Sequence, residues 1–236
     1  MNEKTLSLVT HLEEFRRRII YCLVAISAAG IFSYLYKEQI LLLLIKPVEQ
    51  VFFLTLPEAL LAYLKISIVS GIILASPYII YQIWAFTWSA FRPIEKRYII
   101  IYGILSFLLF IAGVLFGYIV GLPAVIRFLL SFARDYLTPM ISINKYINFC
   151  FIVIILSGLL FEFPLIIVFI TSAGLVTIEK IAAKRKYIIV GIFAIATVLT
   201  PPDVVTQLFT AIPLYLLFEI SILISRLVRV LKVRRA

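Results

Sequence analysis

Between Tyr146 and Ile178 the chain carries one charged side chain, Glu162, and it falls at the centre of the run. About 20 consecutive apolar residues suffice to span the hydrocarbon of a bilayer. A carboxylate at that depth costs at least about 2.5–3.5 kcal/mol on insertion scales, so it normally faces protein or trapped water. Glu162 is therefore a candidate functional residue. The plainer reading is a structural carboxyl hydrogen-bonded to a neighbouring helix. Pro164, two residues on, removes the N–H that would bond the Leu160 carbonyl and predicts a kink.

Comparable apolar runs recur along the chain. Hydrophobic residues make up 64% of its 236 positions, against about 45–50% in soluble domains. The chain reads as an all-α integral membrane protein, a single transmembrane domain. Spans are expected over residues 19–36, 64–84, 98–120, 147–171, 187–200 and 204–224. The last two are short. The fifth is closed by Pro201-Pro202-Asp203, so at 1.5 Å per residue it falls below the roughly 30 Å of a hydrocarbon core, and local thinning of the bilayer is expected. Asp203 and Gln207 sit at this shallow turn, where each also suits plain satisfaction of turn backbone. The Leu41–Ile45 run is too short to cross and reads as an interfacial or re-entrant helix. Residues 121–145 read as a partly helical loop. Trp84 and Trp88 mark an interfacial belt. Residues 1–18 are polar and lack the apolar core of a cleavable signal peptide. Thr10 and Glu13 fit a capping box, placing a helix start near residue 11.

The net charge of +10 raises nucleic acid as a partner, but its distribution excludes that reading. Of the 22 Lys and Arg residues, only Lys37, Lys46, Lys65, Arg127, Arg134 and Lys145 lie on one side of a six-span topology. The rest lie on the side of both termini, which the positive-inside rule assigns to the cytosol. Cys22 and Cys150 read as small buried hydrophobes. No His/Cys cluster suggests a metal, and no cofactor is expected. The chain has no GxxxxGK[ST] loop, no HExxH and no Ser/His or Cys/His pair at matching depth, so it does not read as an enzyme.

Several stretches, taken in order, carry a resemblance. They are His11-Leu12-Glu13-Glu14-Phe15-Arg16-Arg17-Arg18 and Ala75-Ser76-Pro77-Tyr78 running on to Gln82-Ile83-Trp84-Ala85-Phe86. Next come Phe161-Glu162-Phe163-Pro164, then Leu199-Thr200-Pro201-Pro202-Asp203-Val204-Val205-Thr206-Gln207. Ala211-Ile212-Pro213 and Phe218-Glu219-Ile220 complete the set. Together they resemble the TatC family, the multispanning core subunit of the twin-arginine (Sec-independent) protein translocase. The likeness covers nearly the whole chain.

The resemblance implies a cup-shaped arrangement of six transmembrane helices in the cytoplasmic (inner) membrane, with cytosolic termini. It implies a receptor for paired-arginine signal peptides that transports folded proteins, coupled to the proton motive force. Its implied partners are TatA-type and TatB-type single-span subunits, with further copies of the chain in a receptor complex. By motif position, signal-peptide binding falls to Glu14, Glu95, Phe86 and Arg16. Glu162 matches the groove carboxylate, and Asp203 with Gln207 the far-side turn. The loop departs from the family pattern: Ser89-Ala90-Phe91-Arg92 replaces Pro-Ala-Leu-Tyr, and Pro93 stands where a basic residue is usual.

The residue types suit that task. A guanidinium is planar, permanently charged and forks two hydrogen bonds onto one carboxylate. Glu14 and Glu95, at one membrane face, match two adjacent arginines. Each also has a plain alternative: Glu14 as a helix-surface ion pair with a neighbouring arginine, Glu95 as a helix N-terminal stabiliser. Glu219 has basic neighbours with which to pair. A proton-coupled small-solute transporter using Glu162 is the competing function.

Overall fold

The structure, a computed structural model, describes residues 3–48, 50–89, 96–131, 140–199 and 204–233. Among them the chain is almost entirely helical. The helices are α1 (Glu3–Leu35), α2 (Lys37–Ile45), α3 (Glu58–Ser89), α4 (Lys96–Phe116), α5 (Leu122–Leu130), α6 (Ile143–Phe161), α7 (Phe163–Ser172), α8 (Ile178–Ala183), α9 (Arg185–Leu199) and α10 (Val204–Val233). Five stretches are long and apolar enough to cross a bilayer: Leu12–Leu35, Glu58–Thr87, Ile100–Leu130, Ile143–Ser172 and Thr210–Leu227. Lipid offers backbone no hydrogen-bond partners, so such stretches satisfy their N–H and C=O groups internally as helix. Their outward side chains, such as Leu23, Val24, Ile31 and Leu35 on α1, are apolar and exposed, as lipid contact requires.

Several boundaries differ from the sequence expectation. The capping box at Thr10 is overturned, because α1 already runs from Glu3. Thr10 and Glu13 lie within it, and an unbroken run of non-Gly, non-Pro residues gives the helix no reason to stop there. The third span does not end at Val120. A π-helical turn over Gly117–Gly121 carries α4 into α5, with Pro123 in the first turn of α5 where its missing N–H has no partner to lose. The last helix is not short as a helix, since α10 has 30 residues with Pro213 inside it. Its crossing segment has 18. Helix α9, with 15 residues, reaches about 22 Å.

The chain divides into two compact units: residues 1–107 with 140–148, and residues 108–139 with 149–236. In the first, α1 and α3 pack antiparallel with their backbones touching. A Cβ at Gly71 would stand 2.7 Å from both the Cα and the N of Gly30. Small residues allow this approach, and membrane helices gain most of their association from such close packing. The same register extends both ways. The Lys37 ammonium lies 5.6 Å from the Tyr63 ring centroid, and Phe15 meets Phe86 at the other end with ring centroids 5.3 Å apart. Trp84 of α3 stacks on Tyr102 of α4 at 5.5 Å.

At the Lys37 end of this unit a buried carboxylate ties three segments together. Glu58, 6% exposed, starts α3. Its Oε2 accepts hydrogen bonds from the Leu54 N–H at 2.6 Å and the Thr55 N–H at 3.3 Å. Its Oε1 accepts from the Ser142 hydroxyl and from the Asn144 N–H. The Asn144 N–H is an orphan donor in the first turn of α6, and the Leu54 and Thr55 N–H groups belong to the segment that leads into α3. A parallel bridge of Phe52 with Ser142 lies beside the carboxylate. Lys65 Nζ donates to Asn144 Oδ1 at 2.8 Å, and the Tyr146 hydroxyl to the Leu44 carbonyl at 2.6 Å.

The second unit has its own close approach. Glycines recur every fourth residue at 113, 117 and 121, on one face of the helix. A Cβ at Gly113 would lie 2.6 Å from the Ser157 carbonyl oxygen, and one at Gly117 2.8 Å from Ser157 Cβ. Further along, Ile178, Ile192, Ala196, Ala211, Phe218 and Ile222 form a core that binds α8, α9 and α10. Helix α7 packs against α10, where Thr171 Oγ1 donates to Ser225 Oγ at 3.2 Å. Gly174, at φ 76°, ends α7 in a left-handed cap with Leu175 N–H on the Ile170 carbonyl.

Two outcomes test this packing. Gly71→Ala drives a Cβ into Gly30 backbone and is expected to destabilise by about 1–3 kcal/mol, the range for overpacking. Gly30→Ala meets only the Ser67 carbonyl, at 3.6 Å, and is expected to be tolerated. Thermal unfolding of both variants in detergent checks the contrast. Glu58→Gln loses acceptor capacity at Glu58. Hydrogen exchange is expected to accelerate at the Leu54, Thr55 and Asn144 amides while the amides around Gly71 keep their protection.

Candidate functional site

Helical periodicity puts Glu14 and Arg18 on one face of α1, one turn apart. The Arg18 guanidinium donates to Glu14 Oε1 from Nε at 3.0 Å and from Nη2 at 2.6 Å. Its third nitrogen, Nη1, donates to Gln82 Oε1 of α3 at 2.8 Å. The Arg18 and Glu14 side chains are 22% and 23% exposed, and Gln82 is buried. Phe15 and Phe86 adjoin this group, so it ends in an aromatic pair. The cluster joins a carboxylate, a guanidinium, an amide and two aromatic rings where α1 and α3 meet. Chemically it holds a guanidinium by all three nitrogens, with one carboxylate oxygen taking two of the bonds.

Among the residues singled out from sequence, the structure brings Glu14 and Phe86 into this one neighbourhood. Arg16 is exposed on the same helix. Glu95 and Asp203 lie outside the described residues, as does the side chain of His11. Arg18 is one of the neighbouring arginines that the sequence offered Glu14 as an ion-pair partner; Gln82 was missed, although it sits inside a stretch that carries the resemblance. The available signal was the i, i+4 spacing of Glu14 and Arg18. The Gln82 contact depends on the α1–α3 register and has no local signature.

Glu162 lies in the second unit, at the break between α6 and α7. Its N–H bonds the Leu159 carbonyl at 3.2 Å, three residues back, and its own carbonyl accepts from Leu165 N–H and Ile166 N–H. This is the tightened turn that Pro164 imposes, and the expected interruption of the helix is present. The side chain is half-buried, with Oε1 sealed from solvent. Phe161 beside it packs on Phe116 at 5.3 Å between ring centroids. The glycine contacts of Gly113 with Ser157 and Phe161 set the position of this turn. The glycine stripe was legible in the sequence as a small-residue pattern at four-residue spacing, and it went unread.

Gln207, at the start of α10, reaches back to α9. Its Nε2 donates to Thr197 Oγ1 at 2.5 Å and to the Phe193 carbonyl at 3.2 Å. Both acceptors lie within α9, and the turn of residues 200–203, where its sequence readings placed it, lies outside the described residues. Glu219 pairs with Arg185, Oε2 to Nη2 at 2.9 Å, and accepts from the Tyr215 hydroxyl at 3.0 Å. Among the described residues, no three His, Cys, Asp or Glu side chains gather as a metal site would require. Both cysteines are free thiols.

Comparison with known proteins adds three findings. The family described as "Sec-independent protein translocase protein (TatC)" matches residues 10–213. Relatives that bear that description include one from Carboxydothermus hydrogenoformans, 37% identical over 97% of this chain and 96% of its own length. Another, from Aquifex aeolicus, is 37% identical over 93% and 95%. The Bacillus subtilis protein TatCy is 34% identical over 96% and 92%. Among solved structures, the crystal structure of a twin arginine translocase receptor, TatC, in DDM superposes with a TM-score of 0.81. It shares 36% identity and covers 91% of this chain and 99% of that one.

The aromatic contact at the end of the cluster has a measurable worth. A double-mutant cycle of Phe15→Ala and Phe86→Ala is expected to give a coupling of about 0.5–1.5 kcal/mol, the range for packed aromatic pairs. Denaturant unfolding of the four proteins in detergent measures it.

Proposed function

This chain belongs to the TatC family of Sec-independent protein translocase proteins, and from that premise we propose that it is the signal-peptide receptor of its translocase. As a family member it is a twin-arginine translocase component, a multi-pass membrane protein and not an enzyme. In the proposed working state both termini and the loop of residues 92–97 face the cytosol, and α9 is the fifth, short span. Paired arginines of a signal peptide bind at this face. Glu14 takes one guanidinium and Glu95 the other, with Phe86 and Arg16 bordering the site.

The observation that carries this reading is the Glu14 carboxylate, partly open and already gripping a guanidinium in a two-nitrogen fork. A site that holds Arg18 in this way has the geometry to hold an arginine from another chain. Lysine keeps the charge but loses the fork. Charge-assisted bonds of this kind gain strength where the dielectric falls below that of water.

The remaining assignments follow the same reading. Single-span subunits of the TatA and TatB type dock on the membrane face of the protein. Glu162, at the α6–α7 break, offers such a helix a polar contact worth about 0.6–2 kcal/mol in lipid, enough to bias docking. Asp203 and Gln207 form the far-side turn, and several copies of the chain share a receptor complex in the cytoplasmic membrane. Folded cargo then crosses with energy from the proton gradient. Protein transport, the activity of the family, supplants the small-solute alternative.

Site-specific crosslinking from positions 14 and 95 to a paired-arginine precursor tests the proposal. Both positions are expected to crosslink. Glu14→Gln is expected to weaken peptide binding about tenfold, the loss of a charge-assisted hydrogen bond, with insertion and thermal stability retained. Equal crosslinking and affinity in wild type, Glu14→Gln and Glu95→Gln would sink it.

A further inference from the structure

Glu14 does not wait with an unengaged carboxylate. All three nitrogens of Arg18 are engaged, two on Glu14 Oε1 and one on Gln82 Oε1. An arriving guanidinium has to displace Arg18 from Oε1 or share the carboxylate with it through the second oxygen, Oε2. We infer that Arg18 is an internal stand-in for a signal-peptide arginine: it occupies Glu14 in the resting protein, and its displacement sets the preference for arginine over lysine. This rests on the receptor reading above.

The argument is one of matched chemistry. Arg18 makes two bonds to Oε1, so a competitor that takes this oxygen from Arg18 gains only if it replaces both. An arginine can do so with its own planar fork, whereas a lysine ammonium makes a point contact and leaves the exchange short by one bond. Gln82 makes the exchange feasible. It comes from the other helix and accepts from Nη1 alone, so Arg18 can release Glu14 without stranding its charge at a partly buried position. An unpartnered buried charge would otherwise oppose the release. The partial exposure of Arg18 and Glu14, 22% and 23%, leaves the pair open to attack from solvent. A partly exposed helical pair is weak enough to be displaced by a peptide. Arg18 is thus a specificity-determining residue that lowers absolute affinity while sharpening discrimination.

The test uses the full-length protein in detergent and two labelled peptides that differ only in carrying paired arginines or paired lysines. Arg18→Gln is expected to bind the arginine peptide about threefold tighter, the worth of a partly exposed ion pair. The ratio of arginine to lysine affinity is expected to fall in the same variant. Arg18→Lys, which keeps the charge and loses the fork, is expected to move both readouts the same way by less, and it serves if Arg18→Gln does not accumulate. Unchanged or weaker arginine-peptide binding with the ratio intact overturns the stand-in role. So does equal weakening of both peptides alongside a lower melting temperature, which marks Arg18 as structural only. Glu14→Gln separates the two claims. If it leaves arginine-peptide affinity at the wild-type value, the receptor reading fails at this residue. If it weakens binding while Arg18→Gln does not tighten it, only the stand-in fails.

Discussion

The contact of Gly30 with Gly71 sets the register on which the candidate site depends. With no side chain between them, the two backbones come so close that a Cβ at Gly71 would stand 2.7 Å from Gly30 Cα and N. Packing at such proximity supplies much of the association energy available between helices in lipid, where apolar burial between helices gains little. The register then propagates rigidly. Phe15 lies fifteen residues before Gly30, and Phe86 fifteen after Gly71, so equal lengths of helix, about 22 Å each, bring the two rings together. Arg18 meets Gln82 by the same construction. The candidate cluster is therefore positioned by a contact some four turns away.

Several polar side chains among the described residues are met where helices end or break. Glu58 closes the N-terminus of α3 and gathers N–H groups from two other segments. Glu219 holds Arg185 at the start of α9. Gln207, at the start of α10, bonds Thr197 of α9. Glu162 sits where Pro164 interrupts α6 and α7. In a chain this apolar, helix interiors consume their own backbone polarity. Termini and breaks are where side-chain polarity is needed, and where it becomes available for binding.

The two readings of Glu14 drawn from sequence, surface ion pair and arginine receptor, turn out to be compatible. The ion pair is present, and its geometry is that of guanidinium recognition. Under the proposed receptor reading, the two explanations become two occupants of one carboxylate, and the stand-in role of Arg18 rests on that proposal.

The sequence by itself determined that this chain is a helical membrane protein of the TatC family, because apolar length and ordered motifs are properties of consecutive residues. It also placed the break at Glu162, since the effect of Pro164 is confined to one turn. Helix ends were harder to read. The start of α1 lies well before the capping box, because no proline or glycine there stops the helix, and at Gly117–Gly121 and Pro123, where a partly helical loop was expected, a π turn carries α4 into α5. Tertiary structure alone decided that Gln82 meets Arg18, that Glu58 gathers three segments and which partners the glycines approach. Each depends on two stretches of chain meeting in a fixed register, and register is set by the shape of the contact surface, which no local window of sequence contains.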